Sequence, residues 1–294
     1  MDFSNNGTNF RLKFDLPAHG ENSTQLLLIC LLSGLTAIQV NSKFFAQKIN
    51  FTNFPQSVQS KSTITALNDF FGTYDFGYKT EKFISKTLSD NRLFYQELLA
   101  EFTQYFTQTN KNAHTAAFIF LYRILERLSF SVPLLYASVS KDFLGTFKDL
   151  KDFILDDKGG ELGFFKKFLN QGNFIDPNIL DSRYTFRFIS TRGCEDKYFK
   201  TLNKIYSDFE VVDNLTHSVE CKFRNVPEML KTIRNRFFHT RTGEGQYNIS
   251  LRNLQDPDEF FRCVNSEFCG FLSIVTVHTL VKKYPLFAGE LATI

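Results

Sequence analysis

The sequence predicts a mainly α fold with a few short β-strands and an N-terminal α(+β) extension. Three observations carry that reading. Most strongly periodic segments repeat apolar residues every three or four positions, the spacing of one face of a helix. Only three short stretches alternate every second residue, as a half-buried strand does. The 294 residues, 43% hydrophobic and 22% charged, also have the balance of a folded chain, long enough to bury a core in one large domain or two modest ones.

From the N-terminus, Phe10-Arg11-Leu12-Lys13-Phe14-Asp15-Leu16 alternates apolar and charged residues and is predicted as a strand. The apolar run Leu26 to Val40 is interrupted by Ser33, Gly34, Thr36 and Gln39, and is shorter than the ~20 residues a bilayer requires. It lies too far from the start to be a signal peptide, and the charges before it are mixed (Asp2, Arg11, Lys13, Asp15, Glu21). A buried helix is expected there. Ser89-Asp90 offers a cap for a helix carrying Leu93, Phe94, Leu98, Phe102 and Tyr105. The polar stretch Thr107 to Asn112 then breaks the pattern, which divides the chain into an N-terminal region, 1–110, and a helical domain, 111–294.

In the second part, Ala113 to Phe130 places Ala117, Leu121, Ile124 and Leu128 on one side, joined by Phe118 and Leu125. Arg123, Glu126 and Arg127 occupy the other side, and Pro133 ends or kinks the helix. A further helix runs through Phe143, Phe147, Leu150 and Ile154 to Gly159-Gly160, and a short one carries Leu162, Phe165 and Leu169. Tyr184 to Phe188 alternates as a strand, and Gln246 to Leu251 does so more weakly. Pro227 suits the first turn of a helix with the stripe Val226, Leu230, Ile233 and Phe237. Asp256-Pro257-Asp258-Glu259 supplies an N-cap, an N1 proline and two acids for the last helix, through Phe260, Val264, Phe271, Val275 and Leu280. Between these two helices Thr240 to Asp256, with Gly243-Glu244-Gly245, reads as a polar loop.

Composition narrows the function classes. The 36 Phe, with no Trp and two Met, are assigned to core packing. Five scattered cysteines (Cys30, Cys194, Cys221, Cys263, Cys269) lack disulfide or zinc-ligand spacing, so reduced thiols, no metal and a cytoplasmic location are expected. No phosphate-binding glycine loop, nucleophile elbow or HExxH is present. His19, His114, His217 and His278 are expected to be structural, His217 least firmly because Asp213 precedes it by four residues.

Net charge is only +3, yet Lys222 to Arg241 holds six basic residues (Lys222, Arg224, Lys231, Arg234, Arg236, Arg241) against one acid, Glu228. Positive charge is therefore concentrated around one helix and the loop after it, as a polyanion-binding surface requires. Within it, Arg234 is always protonated and offers a planar fork that suits phosphate. His239 can take or give a proton near neutral pH. The two converge only if the helix loosens after Asn235, because five residues do not stack in a continuous helix.

Arg234-Asn235-Arg236-Phe237-Phe238-His239, an arginine, a polar residue, three more and a histidine, resembles the signature of the HEPN superfamily (higher eukaryotes and prokaryotes nucleotide-binding). Leu121-Tyr122-Arg123-Ile124-Leu125-Glu126 is similar to an earlier helix of bacterial members, and the resemblance covers roughly residues 111–290. It implies a bundle of about four or five helices and a metal-independent endoribonuclease without cofactor, of the bacterial toxin or anti-phage type. It also implies a homodimer whose Arg/His pairs face each other, with RNA as substrate and an antitoxin or defence-system protein as a possible partner. By the same resemblance Arg234, His239 and Asn235 are catalytic: His239 moves the proton, Arg234 stabilises the transition state and Asn235 orients a phosphate or the histidine. Arg236, Lys231 and Arg241 are expected to bind RNA, and Glu126 to hold Arg234 from the neighbouring helix. Silencing by an AMP-modified tyrosine two residues after the histidine is disfavoured, since Arg241 stands there. The competing class is a non-catalytic helical dimer that binds RNA or a nucleotide, or scaffolds a partner protein.

Overall fold

The computed structural model describes residues 2–5, 8–13, 23–40, 42–52, 80–89, 91–139, 142–155, 165–166, 168–169, 175, 177–239 and 247–282. Helix predominates among these, which makes the protein mainly α with a few short strands. The chain forms two compact units, residues 1–111 with 273–294, and residues 112–272.

The first unit holds a four-stranded antiparallel meander of β1 (Asp2–Asn5), β2 (Thr8–Lys13), β3 (Thr36–Val40) and β4 (Lys43–Gln47), in that order across the sheet. The alternation at Phe10 to Lys13 lies in β2, while residues 14–16 of the expected strand fall outside the described residues. The apolar run 26–40 is not one helix. Helix α1 (Thr24–Leu32) is capped by the Ser23 hydroxyl, which accepts from the Leu26 amide at 3.3 Å, and it is buried on every side. It stops because Gly34 takes a left-handed φ of +75°, with the Lys48 backbone 2.7 Å from where a Cβ would stand. The chain then turns into β3, where Thr36, Ile38 and Val40 favour a strand. Helices α2 (Thr80–Thr87) and α3 (Arg92–Asn110) also belong to this unit, and α3 buries Leu98, Leu99, Phe102 and Phe106. Its N-cap is Asn91 in a left-handed conformation, one to two residues beyond the expected Ser89-Asp90.

The second unit contains α4 (His114–Val139), α5 (Phe143–Leu155), the single turn α6 (Pro177–Leu180), α7 (Glu195–Ile205), α8 (Val226–Phe238), the short α9 (Leu251–Leu254) and the first part of α10 (Pro257–Lys282). A three-stranded antiparallel sheet, β5 (Arg183–Arg187), β7 (Ser218–Lys222) and β6 (Val211–Asp213), has β7 at its centre. Pro133 lies inside α4 rather than ending it. Helix α5 forms as its periodicity predicts but presents Phe143, Leu144 and Phe147 to solvent. Of the weakly alternating stretch Gln246 to Leu251, residue 246 lies outside the described residues and the rest builds no strand: residues 247–250 are irregular and a capping box at Ser250 starts α9. Phe118, Phe186, Phe188, Phe223, Phe260, Phe261, Phe268 and Phe271 are fully or almost fully buried, so phenylalanine supplies the core as expected.

His217 sits at the start of β7 after a β6–β7 turn, not on a helix. Asp213 is occupied with the turn itself, accepting from the Leu215 amide at 2.8 Å and the Thr216 hydroxyl at 2.7 Å. The acid near His217 is Asp196, at 3.7 Å.

The start of α10 ties the unit together. Asp256 caps it by accepting from the Glu259 amide at 3.2 Å. Asp258 accepts from the Thr115 amide at 2.6 Å, so one carboxylate serves the N-terminal turns of both α4 and α10. Asn265, two turns on, donates to the His114 carbonyl at 2.8 Å. Glu259 accepts from the Ser190 hydroxyl at 2.5 Å, from the Thr191 amide at 3.1 Å and the Thr191 hydroxyl, and from the Tyr198 hydroxyl at 3.2 Å. The Ser190 and Thr191 hydroxyls lower its pKa most, to about 2. By length and composition alone, Pro257–Leu280 is long and apolar enough to cross a membrane, yet 67% of its 18-residue apolar window is buried within the protein, which fits a core helix.

Because the Glu259 pKa is depressed, its contribution to stability is present above the ordinary carboxylate range and lost as pH falls toward 2. Thermal denaturation against pH is expected to show wild type losing stability between about pH 4.5 and about pH 2. Glu259→Gln is expected to lose about 1 kcal/mol at neutral pH, the low end for a partly solvated carboxylate, and to lack that acid-side dependence.

Candidate functional site

Helix α8 begins with Val226 and Pro227, whose fixed φ suits a first turn, and buries Val226, Met229, Leu230 and Ile233. Its other side faces α4. Phe238 stacks on Phe118 with centroids 6.0 Å apart and planes 6° from parallel. One turn back, the Arg234 guanidinium carbon lies 4.6 Å from the centre of the Tyr122 ring. Steps of four residues in opposite directions along the two helices thus keep one antiparallel register. Phe261 of α10 closes the group, 4.7 Å from Phe118 and 4.9 Å from Phe237.

Arg234 is half-buried and donates to the Asn235 side-chain carbonyl at 2.9 Å. Among the described residues no carboxylate forms an ion pair with it. The neighbouring basic residues do have acid partners: Lys231 with Glu228 at 3.7 Å, Arg224 with Asp181 at 2.5 Å and Lys222 with Glu210 at 3.7 Å. Three of the six basic residues of the run are thus matched by acids in space, and Arg234 is not. Arg236 is half-buried and its carbonyl accepts from the Ile249 amide at 2.8 Å, bringing the segment after the glycine loop back beside α8. Arg241 lies outside the described residues.

The helix does not loosen after Asn235. It continues through Phe238, and His239 is the first residue beyond it, exposed and extended at φ −110° and ψ 115°. The His239 amide still donates to the Asn235 carbonyl, at 3.3 Å. A sixth helical residue would be offset from Arg234 by about 140° around the axis. The extended backbone at His239 frees its side chain from that offset. No hydrogen bond joins Arg234 and His239.

Glu126 forms no ion pair with Arg234. In the α4–α8 register it is level with Leu230, a turn past the guanidinium, and its carboxylate acts instead on the Tyr122 hydroxyl one turn earlier on its own helix. Burial raises the Tyr122 pKa most, the Arg234 charge lowers it, and the charge and hydrogen bonding of Glu126 raise it. Tyr122 is the member that reasoning from residue patterns did not single out. The available signal was its spacing: Phe118, Tyr122 and Glu126 follow one another at four-residue intervals along α4.

The arrangement offers a cationic fork braced on two sides and a solvent-facing imidazole one and a half turns away. It can bind an oxyanion and exchange a proton close by. Among the described residues no group of three or more His, Cys, Asp or Glu could hold a metal ion, and the five cysteines are free thiols. Comparison of the chain with protein-family models, with curated proteins and with solved structures finds no match.

The aromatic group that fixes the end of α8 is expected to be energetically graded. Urea denaturation of Phe261→Ala, a fully buried ring, should show a loss of about 3–4 kcal/mol, and Phe238→Ala, a partly exposed one, about 1–2 kcal/mol.

Proposed function

We propose that the protein is a metal-independent endoribonuclease of HEPN type. It acts as a cytoplasmic homodimer on cellular or phage RNA, in a defence or toxin–antitoxin setting. The observation that carries this reading is Arg234, a half-buried cation without an acid partner among the described residues, braced by Asn235 and Tyr122 and followed closely by the exposed His239. An unmatched, oriented guanidinium is suited to a phosphate, and a neighbouring imidazole narrows the chemistry to proton transfer around it.

In this mechanism His239 takes the proton from a ribose 2′-OH. The 2′-oxygen attacks the adjacent phosphorus, and the bond to the 5′-oxygen of the next nucleotide breaks. That oxygen gains a proton, leaving a 2′,3′-cyclic phosphate and a 5′-OH. Arg234 stabilises the charge gathering on the non-bridging oxygens, the kind of electrostatic contribution that is often the largest in catalysis. Asn235 holds the guanidinium in its orientation, and Arg236, Lys231 and Arg241 contribute attraction for the RNA backbone. A binding-only site is the competing reading, favoured by the absence of a hydrogen bond between Arg234 and His239.

Incubation of RNA with the purified protein in EDTA separates the two. Wild type is expected to cut and to leave cyclic phosphate ends. His239→Ala should lower the rate about 10²–10⁴-fold and Arg234→Ala about 10²–10³-fold. Intact RNA at high wild-type concentration, or equal cutting by His239→Ala, would sink the nuclease reading in favour of binding alone.

A further inference from the structure

We infer that Tyr122 is a positioning residue for Arg234, its ring acting as the platform that fixes the plane of the guanidinium. This rests on the ribonuclease reading for its effect on rate, but the clamp itself is tested separately.

A guanidinium keeps its hydrogen-bonding capacity when one face is occupied. Five N–H groups lie in the plane and none perpendicular to it, so a ring against the face costs no hydrogen-bond donor. The Arg234 carbon is 4.6 Å from the Tyr122 centroid, within the reach of a cation–π contact. Asn235 then takes one in-plane donor at 2.9 Å, which fixes rotation within the plane. Two contacts of different direction hold tilt and rotation together and leave the remaining donors for a ligand. Tyr122 is itself immobilised, being buried, and Phe118 and Phe238 stack one turn away in the same register. An acid in place of the ring would neutralise Arg234 and compete with a phosphate. An aromatic ring orients the cation and leaves its charge available.

Four variants and one spectrum test this. Tyr122→Phe keeps the platform and should cleave RNA within about threefold of wild type. Tyr122→Leu removes it and should lower kcat roughly tenfold with KM little changed, as expected when a group is misplaced in the transition state. Arg234→Lys keeps the charge but has no plane to stack. Adding Tyr122→Leu to Arg234→Lys should therefore cost nothing further, whereas a general structural defect would lower both backgrounds alike. Without any variant of Tyr122, the Hε proton of Arg234, assigned in arginine-labelled protein by its disappearance in Arg234→Lys, should be shifted upfield by the ring current. An unshifted Hε resonance, or the same loss from Tyr122→Leu in both backgrounds, overturns the proposal. Absence of cleavage by wild type removes the ribonuclease reading alone, because the ring-current shift decides the clamp without RNA.

Discussion

The register between α4 and α8 governs the functional end of the second unit. Two antiparallel helices can slide only in steps that let their side chains interdigitate, and the near-parallel Phe118 and Phe238 rings select one step. With that step fixed, Tyr122 must meet Arg234, and Glu126 must fall a turn beyond it. Phe261 on α10 locks the choice from a third side. A slip of one turn would bring Arg234 level with Phe118 in one direction or with Glu126 in the other, and lose the Tyr122 platform either way.

Charge is organised by the same geometry. The run from Lys222 to Lys231, basic in one dimension, collects Asp181 from just after α6, Glu210 from before β6 and Glu228 from the first turn of α8. Arg234 is left as an oriented cation without an acid partner among the described residues. Recognition at such a point depends on fit to a phosphate more than on long-range attraction, and is correspondingly less weakened by salt.

Much of the helical framework was legible in the sequence. Proline at the start of α8, and aspartate, proline and two acids at the start of α10, mark local chemistry that is the same in any fold. The 26–40 run misled because apolar content does not distinguish a buried helix from a helix that hands over to a strand. The glycine at 34 was the sign of the handover. Strands β1, β4, β6 and β7 had no clean alternation, and their pairing is set by partners distant in the chain. At the candidate site, Arg234, Asn235 and His239 were visible as a spaced motif. The partner of Arg234 was not, since nothing local tells that Tyr122, rather than Glu126, is level with it across the helix pair.

The acids that open α10 reach back to Thr115, Ser190 and Thr191, contacts separated by 143, 69 and 68 positions along the chain. Contacts of such separation form late, after shorter loops have closed. On a ribosome, where N-terminal segments emerge first, α4 and α8 leave the exit tunnel before the helix that fastens them does. The segment bearing Arg234 and His239 is thus exposed to the cell while its surroundings are still unfastened, and it gains its final geometry only once α10 has followed it out. A nascent or prematurely terminated chain carries the motif without the assembled site.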